Sequence, residues 1–429
     1  NRLNITIDPD THLVTIRASQ TLGGGLFRLE LASLDSYDST IQAYTTTRSL
    51  FISISDGTPQ NKYIINDIED LYNINNNLDA NYVLRNNITV GDIVIDGQTV
   101  SVAPIGGENA FNGTLTGTVE NLNSDNEIVT TRYKITLNLK NYVLNTNNSV
   151  YAGLFTRLGS GAVISDLDID VNFDLSNFTS TAGGELNIGA IAGANEGGMI
   201  RDVNVTLLGG SQDNIYFATD KISTPINFGG VVGINSGYID LTSSIVNADS
   251  QISIYTNTAV QHNIGMVAGK NLGEIYGAYL GKNSLNNVDY SVIANIVLIN
   301  SATNTPTLYM GSVVGYNLGG YIHNLISGGF IRVTDNKNVA NMREISGFVA
   351  GIAGYSDDNA GSSVSVKGIE TVAVLGLDLY ADNSNLAVAG IVGQSIGSMI
   401  TDVRVLASKV SFDQGLTSYD VISGQGNVA

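Results

Sequence analysis

A nine-residue block recurs along this chain and constrains its fold more than any other feature. It reads small, any, aliphatic, small, Gly, any, Asn or Ser, any, Gly. Four copies are nearly complete: Gly189-Ala-Ile-Ala-Gly193-Ala-Asn195-Glu-Gly197, Gly229-Gly-Val-Val-Gly233-Ile-Asn235-Ser-Gly237, Gly265-Met-Val-Ala-Gly269-Lys-Asn271-Leu-Gly273 and Gly311-Ser-Val-Val-Gly315-Tyr-Asn317-Leu-Gly319. Ala350-Gly-Ile-Ala-Gly354-Tyr-Ser356 and Ala389-Gly-Ile-Val-Gly393-Gln-Ser395-Ile-Gly397 are later variants, and Gly153-Leu-Phe-Thr156-Arg-Leu-Gly159 is an earlier, degenerate one. Counted from Thr156 through the central glycines to Gly393, the copies lie 36 to 46 residues apart. A unit of that length cannot bury its own apolar face and must stack on its neighbours.

After each block comes an alternating stretch such as Ile200-Arg-Asp-Val203-Asn-Val205-Thr-Leu207 or Ile400-Thr-Asp-Val403-Arg-Val405, the pattern of a half-buried strand. A third extended segment, for example Ile252-Ser-Ile254, precedes the next block. Three strands per period predict one triangular coil per repeat, giving an all-β, right-handed parallel β-helix. Ile191, Val231, Val267, Val313, Ile352 and Ile391 would then form an interior ladder. Asn suits the corner because it tolerates turn conformations, and when stacked its amide can pair with the Asn above and below. A phosphate-cradling reading of the glycines fails, since neither Lys-Ser/Thr nor a helix follows them.

The balance of 20 basic against 39 acidic residues, a net charge of −19, disfavours nucleic acid and anionic membrane surfaces as partners. No apolar run approaches a membrane span, because the richest stretch is cut by Gly390, Gly393, Gln394 and Ser395. Zero cysteine removes disulfides and thiolate chemistry. Asn1 in place of Met is the mark expected of a processed or excised chain.

The blocks resemble the GLUG repeat of bacterial surface proteins, and the similarity extends upstream through Asp67-Ile-Glu-Asp70-Leu71, Asn81-Tyr82-Val83-Leu84 and Phe111-Asn-Gly113-Thr-Leu-Thr-Gly117. Where that family commonly has Asp-Gly-Asn-Gly, this chain has Thr116-Gly117-Thr118-Val119. A narrower resemblance is to the tāpirins, cellulose-binding surface proteins with a β-helical binding portion. The resemblance implies an extracellular or cell-surface location and adhesion to an insoluble polysaccharide, cellulose above all, without catalysis.

Residues 1–60 lie outside the repeat. Leu3, Ile5 and Ile7 alternate toward Pro9-Asp10 and Leu13, Val14 and Ile16 alternate back, which predicts a hairpin in a β-rich N-terminal cap or leading domain. Residues 61–410 are expected to form the β-helix and residues 411–429 a C-terminal cap. Asp67 reads as the N-cap of a helix reaching Asn77, with Ile68, Leu71 and Leu78 on one apolar face.

Candidate chemistry is sparse. Asp166, Asp168 and Asp170 could present three carboxylates on one strand, for a polysaccharide lyase or hydrolase or for Ca²⁺, but a solvated strand face alternating with Leu167 and Ile169 is the better reading of them. His12, His262 and His323 have no metal or triad spacing, so no metal and no cofactor is expected, and each reads as a surface or satisfied polar residue. Binding has better material in 20 tyrosines, whose flat apolar rings with a polar tip suit sugars and wet interfaces. Tyr276, Tyr279, Tyr309, Tyr316, Tyr321 and His323 are expected to form one aromatic strip on an outer face, which Tyr238 and Tyr355 would extend. The alternative to a polysaccharide surface as partner is self-association into a stalk or filament.

Overall fold

The computed structural model describes residues 3–7, 14–18, 25–32, 37–38, 43–44, 47–91, 93–95, 98–100, 104–122, 127–139, 143–146, 149–173, 184–208, 214–217, 224–278, 290–303, 305–335, 343, 345–358, 368–381, 385–406, 408–412 and 417–418. The chain divides into two compact units, Asn1–Ile64 with Ala80–Val83, and Ile65–Asp79 with Leu84–Ala429.

The first unit is built of antiparallel ribbons. Leu3–Ile7 pairs with Val14–Ala18 in the hairpin that the alternation predicts, Gly25–Ala32 pairs with Thr47–Ile54, and Tyr37–Asp38 with Ala43–Tyr44. The Pro9-Asp10 turn lies outside the described residues.

In the second unit, Asp67 caps a short helix, Ile68–Tyr72, by accepting the backbone N–H of Asp70 at 2.9 Å. The helix then tightens into a 3₁₀ turn over Asn73–Asn76. In that turn residues three apart eclipse. Ile74 therefore joins Leu71 in the core, while the expected Leu78 is only half-buried.

The rest of this unit is a parallel β-solenoid with seven described coils. Each coil places a short strand on a first face, another on a second face, and a long one on a third. In the first coil these are Ser149–Ala152, Phe155–Leu158 and Val163–Asn172, and in the fifth Thr307–Gly311, Val314–Leu318 and Tyr321–Asp335. Every face is a parallel ladder in which like positions of successive repeats meet. Thus Asn195, Asn235, Asn271, Asn317, Ser356 and Ser395 pair in turn on the second face. The aliphatic ladder expected at Ile191, Val231, Val267, Val313, Ile352 and Ile391 is buried throughout.

The third side differs from a plain strand in having a bend built into it. Asp166, Asp202, Asn324, Thr371 and Asp402 occupy one position in their coils, and all have φ between 47° and 58°. Asx residues tolerate this left-handed region because a short polar side chain can bond locally. In the third and fourth coils the strands break at this point, after Asp240 and Tyr276, and the ladder resumes at Val246 and Val292.

Of the two expectations for His262, surface or satisfied polar residue, the second holds, in the interior. His262 is fully buried, in register with Ile226 before it and Leu308 after it, and its Nε2 lies 2.8 Å from the Thr256 hydroxyl. Burial pushes its pKa down to about 4, so it sits in the core as neutral imidazole.

Candidate functional site

The first and second faces meet along a crease, and the marker glycines set how close they come. A Cβ on Gly315 would lie 2.3 Å from the backbone N of Ile264, and one on Gly354 would lie 2.3 Å from that of Met310, each on the first face one coil earlier. Only glycine permits that approach. Two columns of outward side chains line the crease. The first-face column runs Tyr151, Asn187, Asn227, Asn263, Tyr309, Phe348 and Ala387. The second-face column runs Arg157, Ala194, Ile234, Lys270, Tyr316, Tyr355 and Gln394.

Four aromatic rings from the fifth and sixth coils meet here. Tyr309 stacks on Tyr355 at 4.8 Å between centroids and on Phe348 at 5.9 Å. Tyr316 meets Tyr309 and Tyr355 edge-on at 5.5 and 5.2 Å. All four are half-buried. Among the described residues the hydroxyls of Tyr309, Tyr316 and Tyr355 have no hydrogen-bond partner. Burial, with the carboxylate of Asp357 second, pushes Tyr316 up to about 12, and burial raises Tyr309 and Tyr355 as well. These phenols are protonated donors near neutral pH.

Toward the first coils the crease becomes polar. Asn227 Nδ2 donates to Asn187 Oδ1 at 2.8 Å, and Asn263 Nδ2 donates to Asn227 Oδ1 at 2.7 Å. Although they are on the outward side of their strands, these three asparagines are at most 1% exposed. An ion pair, Lys270 Nζ to Glu185 Oε1 at 3.0 Å, crosses the crease there from the fourth coil to the second.

Tyr276, Tyr321 and His323 stand elsewhere, on the third face. Tyr276 stacks on His323 at 5.5 Å and Tyr321 on His323 at 4.1 Å. Their polar atoms are engaged within the protein. The Tyr276 hydroxyl donates to Asp240 at 3.1 Å, the Tyr321 hydroxyl donates to Glu370, and His323 Nε2 lies 2.8 Å from Glu274 Oε1. Burial first and Asp240 second push Tyr276 up to about 12, and burial first and Glu370 second raise Tyr321. The aromatic residues read as one strip are therefore two groups on different faces, Tyr309 and Tyr316 in one and Tyr276, Tyr321 and His323 in the other. Tyr279 lies outside the described residues. Tyr238, at 48% exposure, flanks the third-face group, in register with Glu274.

Phe348 was not among the expected residues. A simple signal would have found it, since both Tyr309 and Phe348 stand six residues before their marker glycines, Gly315 and Gly354. The same count finds Asn187, Asn227 and Asn263.

The three aspartates do not form a free acidic face. Asp166 is the left-handed bend residue, Asp168 accepts from Arg132 Nε at 2.8 Å and Asn204 Nδ2 at 2.9 Å, and Asp170 pairs with Lys134 Nζ at 2.8 Å. Among the described residues, no group of three or more His, Asp or Glu side chains is arranged to hold a metal ion. Among the described residues no helix is long and apolar enough to cross a membrane.

The architecture defines the class, a parallel β-solenoid with an aromatic crease. No family model, curated protein or solved structure matches the chain.

Proposed function

We propose that this chain is a non-catalytic adhesin, secreted or held at a cell surface, whose crease binds an insoluble polysaccharide, cellulose being the first to test. One observation carries the reading. Four half-buried aromatic rings from adjacent coils meet in the crease while three phenol hydroxyls have no hydrogen-bond partner among the described residues. Apolar ring faces beside unspent donors match a sugar, which presents C–H faces and hydroxyl edges. The third-face aromatics fit this role less well, because Asp240, Glu370 and Glu274 already occupy their polar atoms. The resemblance of the Gly-Asn blocks to GLUG repeats and to tāpirins supports a surface location and an adhesive role.

The test is retention on crystalline cellulose and a panel of other insoluble glycans at low salt, with the supernatant assayed for reducing ends. The wild type should be retained without releasing sugar. Replacing Tyr316 and Tyr355 together by Ala should lower retention at least tenfold, a loss of about 1.4 kcal/mol. Replacing Tyr276 by Ala should leave it unchanged. Equal retention of the wild type and the double variant would sink the crease as the binding surface, and released sugar would sink the non-catalytic reading.

A further inference from the structure

We infer that the crease is one continuous track for a linear, uncharged glycan, and that the Lys270–Glu185 ion pair is a strap closing its amide-lined half. The inference rests on the carbohydrate reading above and adds to it the length, charge and path of the ligand. The path follows from register. Asn187, Asn227 and Asn263 stand in the same first-face column as Tyr309 and Phe348, so the amide ladder runs into the aromatic cluster with no change of face. Coils repeat every ~4.8 Å along that column. This is comparable with the length that one ring adds to an extended sugar chain, so a chain lying along the axis would meet one rung per sugar.

The two halves offer complementary chemistry. In the fifth and sixth coils a sugar meets Tyr309, Tyr316, Phe348 and Tyr355. In the second to fourth coils, once the strap has opened, it would meet asparagine amides. Each ladder amide spends one N–H and one lone pair, Asn187 Nδ2 donating to the Glu185 carbonyl and Asn263 Oδ1 accepting from Gln261 Nε2 at the two ends, which leaves a further donor and a further acceptor in its inventory.

The charge follows from the ion pair and the surroundings. Among the described residues that line this stretch of the crease, Lys270 is the cation and is already paired with Glu185, and the chain carries 39 acidic against 20 basic residues. A polyanionic glycan would meet net repulsion, so an uncharged one fits.

The strap follows from placement. Glu185 immediately precedes the second-coil strand Leu186–Ile188 on the first face, and Lys270 belongs to the fourth-coil strand Ala268–Asn271 on the second, so their contact spans both the crease and the intervening third coil. Their side chains are 19% and 34% exposed, whereas the asparagines in that part of the crease are at most 1% exposed. A pair at that level of exposure is weak and salt-sensitive, as a contact that must open requires.

The experiment measures the affinity of soluble cello-oligosaccharides of two and six sugars for the wild type, Lys270→Ala and Glu185→Ala, at low and high salt. Two sugars should bind the aromatic half alone. Six should bind more tightly, and opening the strap should increase that gain by about two- to fivefold, the range expected for a partly exposed ion pair. In the wild type, high salt should act in the same direction without any substitution, which keeps the test independent of how the variants fold. A six-to-two ratio unmoved by both substitutions and by salt would overturn the strap while leaving the aromatic site standing. Absence of binding by either oligosaccharide and by insoluble glucan would overturn the carbohydrate reading and the track together.

Discussion

Asn235 shows how much one side chain carries in a stacked fold. Its Nδ2 donates to Asn271 Oδ1 at 2.9 Å and its Oδ1 accepts from Asn195 Nδ2 at 2.9 Å, all at zero exposure. Truncation to Ala would take one bond from each neighbouring amide in a dry interior, leaving Asn195 Nδ2 only the Gly198 carbonyl and Asn271 Oδ1 only the Gly273 N–H. The expected cost is about 2–4 kcal/mol, read as a lower denaturant midpoint with an unchanged slope. Asn317 already passes its bond to Ser356 Oγ, so Asn317→Ser should cost less. His262 gives a second prediction with a definite sign. Its folded pKa of about 4 lies below the usual 6.5, so between those values the unfolded chain binds the extra proton and stability falls as pH falls. The contribution is complete above pH 6.5 and is on the order of 3 kcal/mol. His262→Leu, matching its register partner Leu308, should flatten the pH dependence of the unfolding midpoint across that window. Thr371 is the β-branched member of the bend column, at φ 50°. Thr371→Asn should therefore stabilise by about 1 kcal/mol in thermal unfolding.

At the scale of the element, the strands and the stacking of Asn195, Asn235, Asn271 and Asn317 were legible because they repeat at fixed offsets from a glycine. The bend was hidden because Asp166, Asp202 and Asp402 alternate plausibly with Leu167, Val203 and Val403, and a left-handed φ leaves no mark on a period-two pattern. The candidate site was half legible. Tyr309 and Tyr316 were named, but which tyrosines share a face depends on where the chain turns between Tyr316 and Tyr321, and local sequence does not encode that angle. The hairpin of Thr118–Leu122 with Ile128–Arg132 shows how an outlying element is tied down. Arg132 reaches Asp168 Oδ1 at 2.8 Å and the carbonyls of Leu167 and Asp202 at 2.9 and 2.6 Å. Arg132→Ala should speed hydrogen exchange in 118–132 while leaving the global midpoint nearly unchanged. Lys should not restore protection, since one ammonium cannot reproduce the guanidinium fork.

Across the solenoid, stability should be shared among nearest-neighbour interfaces and should fade where a coil's apolar side chains are less buried; of the expected C-terminal cap, all but 411–412 and 417–418 lies outside the described residues. The first coil is covered within its own unit, since Ser149–Ala152 pairs antiparallel with Val143–Thr146, and Ile105 and Phe111 bridge to Phe155 and Leu158. In the seventh coil, Ile400, Val403 and Val405 are half-exposed, whereas their sixth-coil partners Ile369, Val372 and Val374 are fully buried. Native-state hydrogen exchange should therefore show protection rising from the seventh coil toward the fourth, and uniform protection would contradict a nearest-neighbour stack. The bend column has its own consequence at this scale. Where the third-side strand breaks at that position, chain leaves after Asp240 or Tyr276 and returns at Val246 or Val292 with the ladder still in register. Loop length there is decoupled from the core register, so this position can accept new segments at the small closure-entropy cost of a longer loop. It is where descendants of this sequence can diversify first, and where a foreign peptide could be grafted for display.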